Sequence, residues 1–370
     1  MREVGIGMVG AGFISQLHAE AFTYVPEAHV RGVAARSLAS AARFAERHGI
    51  PTHHDDYRRL LEDPAVDVLT VALPNDLHHE VVLAAAAAGK HVIVEKPLAR
   101  TLAEADEMLA ACRDAGVLLM YAEELCFAPK YVRAKELVDQ GALGRVYMVQ
   151  QGEQHFGPHS DWFWDVERSG GGVLMDMGCH AVEFQRWIYD KPAVESVTAE
   201  LGTYVHAGRT RGEDHAIATV RFAGNRVGLI ETSWAKRGGM DDRAEIFGSE
   251  GVTYVDLLRG SSLHTYSEGG YGYAVEKAPD TRGWTFTMFE ELWNYGFPQE
   301  MRHFVECVQH DGTPLETGED GRAVLEILYA MYRAAGSAGR AVFPLELTPE
   351  ERAAGPIEGW RAVTHEGSGR

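Results

Sequence analysis

Near its N-terminus the chain reads Val4-Gly5-Ile6-Gly7-Met8-Val9-Gly10-Ala11-Gly12-Phe13-Ile14-Ser15, followed by Leu17, Ala21 and Phe22 at helical spacing. An apolar strand running through Gly-x-Gly into a helix specifies the first unit of a parallel sheet, because so tight a strand-to-helix turn needs residues without a Cβ. The same turn aims a helix N-terminus outward, where N–H groups and the helix dipole favour an anion. The motif therefore predicts that a dinucleotide pyrophosphate sits at Gly10, Gly12, Phe13 and Ile14. Ser15 stands where the third glycine of the fingerprint allows close helix–strand packing, so the match is relaxed there. The bland reading is a Gly-rich turn in some other α/β unit.

The pattern that follows fits the first reading. Up to residue 124, apolar strands near Val4-Val9, Val30-Ala34, Val66-Ala72, His91-Val94 and Val117-Tyr121 alternate with helical segments, which predicts a parallel sheet with helices on both faces. From about residue 145 the strand-like stretches Val146-Gln151, Ser196-Leu201, Ala216-Phe222 and Val227-Trp234 predict a larger, mostly antiparallel open sheet. Helices are expected at Pro298-Gln309 and Glu319-Ala335. The expected boundaries are a nucleotide-binding domain over 1–124, an α+β substrate and oligomerisation domain over 125–347, and a polar tail over 348–370 that is extended or disordered at its end.

Two segments carry candidate chemistry. In His91-Val92-Ile93-Val94-Glu95-Lys96-Pro97 a buried-type strand delivers Lys96 at its C-terminal end, where ligands of open parallel sheets bind. Proline fixes the chain direction immediately afterwards. In Gly170-Gly171-Gly172-Val173-Leu174-Met175-Asp176-Met177-Gly178-Cys179-His180 a carboxylate and an imidazole stand four residues apart, on one face of an expected helix. An imidazole that titrates near neutrality beside an orienting carboxylate is a competent proton-transfer pair, although such a spacing also occurs as a surface pair.

These motifs together resemble the glucose-fructose oxidoreductase, inositol dehydrogenase and rhizopine-catabolism family, Gfo/Idh/MocA. The resemblance covers nearly the whole chain. It rests on Gly10-x-Gly12 with His18 after it, Leu73-Pro74-Asn75-Asp76-Leu77-His78, Glu95-Lys96-Pro97, the glycine run to His180, and Thr317-Gly318-Glu319-Asp320-Gly321-Arg322-Ala323. It implies an N-terminal Rossmann domain with a doubly wound parallel sheet, and a C-terminal α+β domain whose open sheet builds homodimers or homotetramers. It also implies that Lys96, Asp176 and His180 form the catalytic group. On the cofactor side, Pro74, Asn75, His78, Glu95 and Lys96 are expected to join the glycine turn.

At the end of the second strand, Ala35 stands where NAD users place an acid, with Arg36 and Ser37 beside it. A guanidinium and a hydroxyl without a carboxylate suit a 2′-phosphate, which favours NADP; Arg36 stacking on adenine in an NAD enzyme is the alternative. The loop His155-Phe156-Gly157-Pro158-His159-Ser160-Asp161-Trp162-Phe163-Trp164 joins aromatic faces to polar groups, as a sugar ring requires, so His155, Trp162 and Trp164 are substrate candidates; a packed corner is the equal alternative. His155, His159 and Asp161 also read with Asp176 and His180 as metal ligands, but proton transfer already accounts for the last two and no metal is expected. Glu123 and Glu124 depart from the Phe-Asn-Arg-Arg-like sequence of many relatives; Glu124 either meets sugar hydroxyls or begins a helix. Lys236 and Arg237 either meet an anionic substituent or lie in a solvated loop.

The resemblance implies NAD(P)-dependent oxidation of a secondary hydroxyl on a sugar, cyclitol or glycoside, or the reverse reduction. One alternative is an NAD-dependent glycosidase that oxidises transiently, eliminates, adds water and returns the hydride; another is a nucleotide sensor without turnover. The net charge of −19 argues against nucleic acid. No stretch approaches the roughly 20 apolar residues of a membrane span. Four scattered cysteines suggest neither a disulfide framework nor a thiolate metal site. Because the N-terminus begins directly in a strand without a signal-peptide pattern, the cytoplasm is expected.

Overall fold

Runs of β-branched and apolar residues too short for helices become strands that are buried on both faces. In the computed structural model, which describes residues 2–258, 264–267, 283–286 and 291–360, the strands β1 (Val4–Val9), β2 (Ala28–Ala34), β3 (Thr52–His54), β4 (Val68–Val71), β5 (His91–Glu95) and β6 (Leu119–Ala122) form one sheet in the order β3-β2-β1-β4-β5-β6. Every pairing is parallel. β1 and β4 are buried at every position, the continuous pattern of a sheet covered on both sides. The strand order reverses between β1 and β4, and the crevice beyond the carboxyl ends at such a reversal is where ligands bind.

The register makes this edge level. Val9 lies beside Ala34 and Val71, and Val71 beside Val94. The residues that follow, Gly10, Ala35, Ala72 and Glu95, therefore stand in one row. β3 was not expected: Thr52-His53-His54 has no apolar signature and is strand only because it lies against Gly32–Ala34 at the sheet edge.

The chain divides into two compact units, residues 1–127 with 296–325 and residues 128–295 with 326–370. The return of 296–325 to the first unit differs from the expected boundary. Its helix Phe297–His310 buries Phe297, Met301, Phe304 and Val305 along one stripe. That stripe packs on α1 (Phe13–Phe22), with Phe297 against His18 and Phe304 against Phe127. Further on, Tyr121 N–H donates to the Glu316 carbonyl at 3.1 Å. Amphipathicity shows that this helix has a core face but not which core takes it.

In the second unit β7 (Val146–Gln154), β8 (Val194–Gly202), β9 (His215–Phe222), β10 (Arg226–Ser233), β11 (Asp241–Gly248), β12 (Val252–Asp256) and the short Ala341–Val342 form a sheet ordered β12-β11-β7-β10-β9-β8-(341–342). Only β7 and β10 run parallel; the remaining pairs are antiparallel. The helix Cys179–Ile188 covers one face against β7 and β10. The other face leaves Ile217, Val252 and Tyr254 exposed. β11 alternates charged and apolar residues over Arg243–Ile246, and β12 is a five-residue edge strand; neither was expected from the sequence.

The expected tail is folded as far as it is described. Thr348 and Glu351 make a capping box on the helix Pro349–Ala353, Tyr329 O–H donates to the Ala354 carbonyl, and Ile357 is buried. The end of that tail, 361–370, lies outside the described residues. Among the described residues no helix is long and apolar enough to cross a membrane.

Phe304→Ala should lower stability by about 3–5 kcal/mol in urea unfolding, the cost of deleting a buried aromatic. A loss below about 1 kcal/mol would show that the helix Phe297–His310 is not part of a core.

Candidate active site

The first unit supplies a cradle for a dinucleotide. Gly10 has φ +121°, and a Cβ there would lie 2.2 Å from the Ala72 carbonyl oxygen, so only glycine lets β1 turn beside β4. At Gly12, the residue preceding α1, a Cβ would meet nothing within 4 Å, and no side chain caps the helix. An open approach to an uncapped helix N-terminus fits a pyrophosphate. Ser15 lies buried beneath, its hydroxyl 2.9 Å from where a Cβ on Gly10 would be, which is how a serine replaces the third glycine. After β2, Arg36 is exposed, whereas the Ser37 hydroxyl accepts from Ser40 N–H at 3.3 Å as the N-cap of α2 (Leu38–His48).

At the end of β5, Glu95 is buried and Lys96 half-buried. His18 Nε2 lies 2.9 Å from Glu95 Oε1, and Glu95 Oε2 accepts from the Lys96 N–H at 3.2 Å. Burial alone would push the Glu95 carboxyl up; His18, through a hydrogen bond and charge, then Lys96 and His78, outweigh it and hold the group below the usual carboxylate range. An ionised Glu95 thus fixes the backbone from which Lys96 projects. His78 is fully buried with Nδ1 3.2 Å from the Pro97 carbonyl oxygen and Nε2 3.0 Å from that of Leu73. Its ring ties together the segments after β4 and β5; burial lowers its pKa against the pull of these carbonyls. Asn75 is buried in the single turn Asn75–Leu77 between them.

Glu123 and Glu124 follow β6 and are both buried, and Glu124 opens the short 3-10 turn Glu124–Phe127, the helix-start place of the second reading. Across from them, Glu300 is fully buried, and its carboxyl is pushed well above the usual range, first by burial and then by Glu124, Glu95, Glu123 and Glu316. Three of these five acids come from distant stretches, and no local pattern announces their convergence.

In the second unit the segment before His180 is not the regular helix that spacing suggested. Leu174–Gly178 is a π-helical turn, and an α-helix begins only at Cys179. A π turn widens the helix by about one residue and re-aims the side chains it carries. Asp176 lies in the π turn, His180 in the first turn of the α-helix, and each is 3% exposed. Trp234, fully buried just beyond β10, donates its indole N–H to Asp176 Oδ2 at 3.0 Å.

The loop 155–164 packs around this tryptophan. His155 is buried and Phe163 is core; Trp162 stacks on Phe163 at 3.7 Å. Trp164 meets Trp234 edge-on at 5.4 Å and His206 at 4.8 Å, and Arg209 lies over its ring at 4.4 Å. Trp162 and Trp164 nonetheless keep part of their surface exposed. Arg237 stacks on Phe156 at 4.0 Å, and Lys236 pairs with Asp241.

Asp176 and His180 thus share one turn, while Lys96, Pro74, Asn75, Glu95 and the glycine loop stand along the carboxyl edge of the parallel sheet. Sequence reasoning missed the roles of Trp234, Glu213, Tyr332 and Glu300, and named His18 without a role. The only signal for Glu213 was its place in a Glu-Asp pair just before β9. Glu213 is fully buried and its pKa is pushed up to about 7 by burial, against hydrogen bonds from Tyr332, Leu174 and Gly172.

The pH dependence follows from that shift. The ordinary value is 4.5, so between there and about 7 the folded chain retains a proton that the unfolded chain releases. This contribution to stability is fully present below about pH 4.5 and is lost as pH rises through about 7, a change of about 3 kcal/mol. Glu213→Gln should remove it: urea titrations should show wild type losing stability relative to the variant between pH 5 and 8, and parallel curves would disprove the shift.

Comparison with known proteins agrees with this geometry. The GFO/IDH/MocA oxidoreductase family, described as having an NAD-binding Rossmann fold, matches residues 4–123, and its C-terminal domain matches residues 131–254. Myo-inositol 2-dehydrogenase of Thermotoga maritima is 29% identical over 327 residues, 88% of this chain and 94% of that one. Among solved structures, GenD2 from gentamicin A biosynthesis, in complex with NAD, superposes with a TM-score of 0.87 at 33% identity, covering 93% of this chain and 97% of that one. Levoglucosan dehydrogenase, in complex with NADH and levoglucosan, gives a TM-score of 0.80 at 26% identity, covering 93% and 100%. The chain belongs to the GFO/IDH/MocA oxidoreductase family, with an NAD-binding Rossmann domain at its N-terminal end.

Proposed function

We propose that this protein is an NAD(P)-dependent dehydrogenase that oxidises a secondary hydroxyl of a sugar, cyclitol or glycoside, or reduces the corresponding ketone. The observation that carries the reading is the buried turn holding Asp176 and His180, with Asp176 fixed by the Trp234 indole, in a chain whose parallel sheet ends in the Lys96 segment. Its relatives and neighbours include an inositol dehydrogenase and a levoglucosan dehydrogenase.

The nicotinamide, when bound, supplies the hydride acceptor. His180 takes the hydroxyl proton at an imidazole nitrogen, Lys96 donates a hydrogen bond to the same oxygen and stabilises its developing charge, and Asp176 orients His180 or the substrate. The partly exposed rings of Trp162 and Trp164 suit the apolar face of a sugar, with His155, Glu123 and Glu124 as candidate polar contacts. The exposed apolar residues Ile217, Val252 and Tyr254 on the open sheet support a homodimer or homotetramer. All four cysteines are buried and none forms a disulfide, which suits the cytoplasm.

A panel of myo-inositol, scyllo-inositol, levoglucosan and an aminoglycoside with NAD and NADP tests the reaction. Net formation of reduced cofactor is expected; glycoside cleavage without it would instead indicate the redox-neutral glycosidase. His180→Ala and Lys96→Ala should each lower turnover at least about a hundredfold while the cofactor still binds. Near-normal turnover in either would overturn the assignment.

NADP should bind more tightly than NAD, because Arg36 is exposed after β2 with Ala35 in the place of an acid. Fluorescence titration with both reduced cofactors measures this. Arg36→Ala should weaken NADPH about tenfold and leave NADH little changed. Tighter NADH binding by wild type would assign Arg36 another role.

A further inference from the structure

The glycine run ahead of Asp176 is built against the Tyr332 side chain and the Glu213 main chain. A Cβ on Gly171 would lie 2.2 Å from the Tyr332 hydroxyl oxygen, and one on Gly172 would lie 2.0 Å from the Glu213 carbonyl oxygen. Glycine is imposed at both positions by what presses on the turn. The turn's amides point the same way. Leu174 N–H donates to Glu213 Oε1 at 2.9 Å, Gly172 N–H to Oε2 at 3.3 Å, and Val173 N–H to the Glu213 carbonyl at 3.0 Å. Tyr332 O–H donates to Glu213 Oε1 at 2.7 Å.

No side chain of the turn itself caps the π turn. Buried N–H groups at a helix start need an acceptor, so Glu213 does from another part of the chain what an N-cap residue does locally. The next residue reaches Asp176 through Trp234. Asp214 accepts the N–H groups of Tyr204, Val205 and His206, each at 2.7 Å, and its carbonyl accepts from Trp234 N–H at 2.8 Å. Trp234 in turn holds Asp176.

We propose that Glu213 is a positioning residue: its carboxyl group, steadied by Tyr332, fixes the turn from which Asp176 and His180 project, while Asp214 holds Trp234, whose indole bonds Asp176. This rests on the reading of Asp176 and His180 as the reacting pair. Displacement of a reacting group by about 1 Å costs up to about a hundredfold in rate, so the effect belongs in kcat.

The test compares wild type with Glu213→Gln, Glu213→Ala and Tyr332→Phe. Each is assayed on the panel polyol that wild type oxidises, and each cofactor-free protein is examined by hydrogen exchange over residues 170–180. Glu213→Gln keeps one acceptor and should lower kcat about tenfold; Glu213→Ala should lower it about a hundredfold, with KM and cofactor affinity within about twofold of wild type. Exchange at residues 172–176 should quicken at least about tenfold in Glu213→Ala and less in the other two. Unaltered exchange there, or an unchanged kcat per folded molecule, overturns the proposal. If Glu213→Ala does not fold, the near-isosteric Gln and Phe variants decide by the same two readouts. Failure of the reaction reading would appear separately, as normal turnover in His180→Ala, whereas exchange reports on Glu213 without any turnover.

Discussion

At Gly10 the backbone passes so near the Ala72 carbonyl that a Cβ would sit 2.2 Å from it, and at Gly172 it passes as near to the Glu213 carbonyl. In each unit the segment proposed to carry the chemistry is built where main chain meets main chain more closely than any side chain permits. The gain differs. At Gly10 the close approach lets β1 end level with β4 and leaves α1 open to an anion. At Gly172 it brings a buried carboxyl onto amides that have no acceptor in their own turn. One alanine at either place would move the backbone rather than merely fill a void.

The carboxyl groups show how burial, not formal charge, sets behaviour. Glu95, Glu213 and Glu300 are all buried acids in a chain of net charge −19. Glu95 is held low because His18 faces it. Glu213 rises to about 7 because burial outweighs the neutral donors that pull it down. Glu300 is pushed well above the usual range by burial first and then by the acids that surround it. Burial raises all three, and the partner decides the outcome.

The loop 155–164 sets core and partly exposed aromatic side chains next to one another in one short stretch. Phe163 is core, whereas Trp162 and Trp164 each give one side to packing and keep part of their surface exposed. Period-2 or helical spacing cannot separate these roles in an irregular loop, because neighbouring side chains there point in directions set by the partner and not by the chain.

Local regularity made much of the molecule legible. The strands of the two large sheets except β3, β11, β12 and the short Ala341–Val342, the Gly-x-Gly turn, Lys96 at a strand end and the helices near residues 298–309 and 319–335 were all readable, because apolar periodicity and glycine placement act within a few residues. What tertiary structure alone decided involves residues far apart in sequence. It returned the helix Phe297–His310 to the first unit, turned the stretch before His180 into a π turn, set Trp234 on Asp176, and brought Glu213 and Tyr332 to the glycine run. A lone buried glutamate or tryptophan has no periodic signature. Its role is fixed by which unsatisfied amide or carboxylate the fold sets before it, and that is a property of the packed chain.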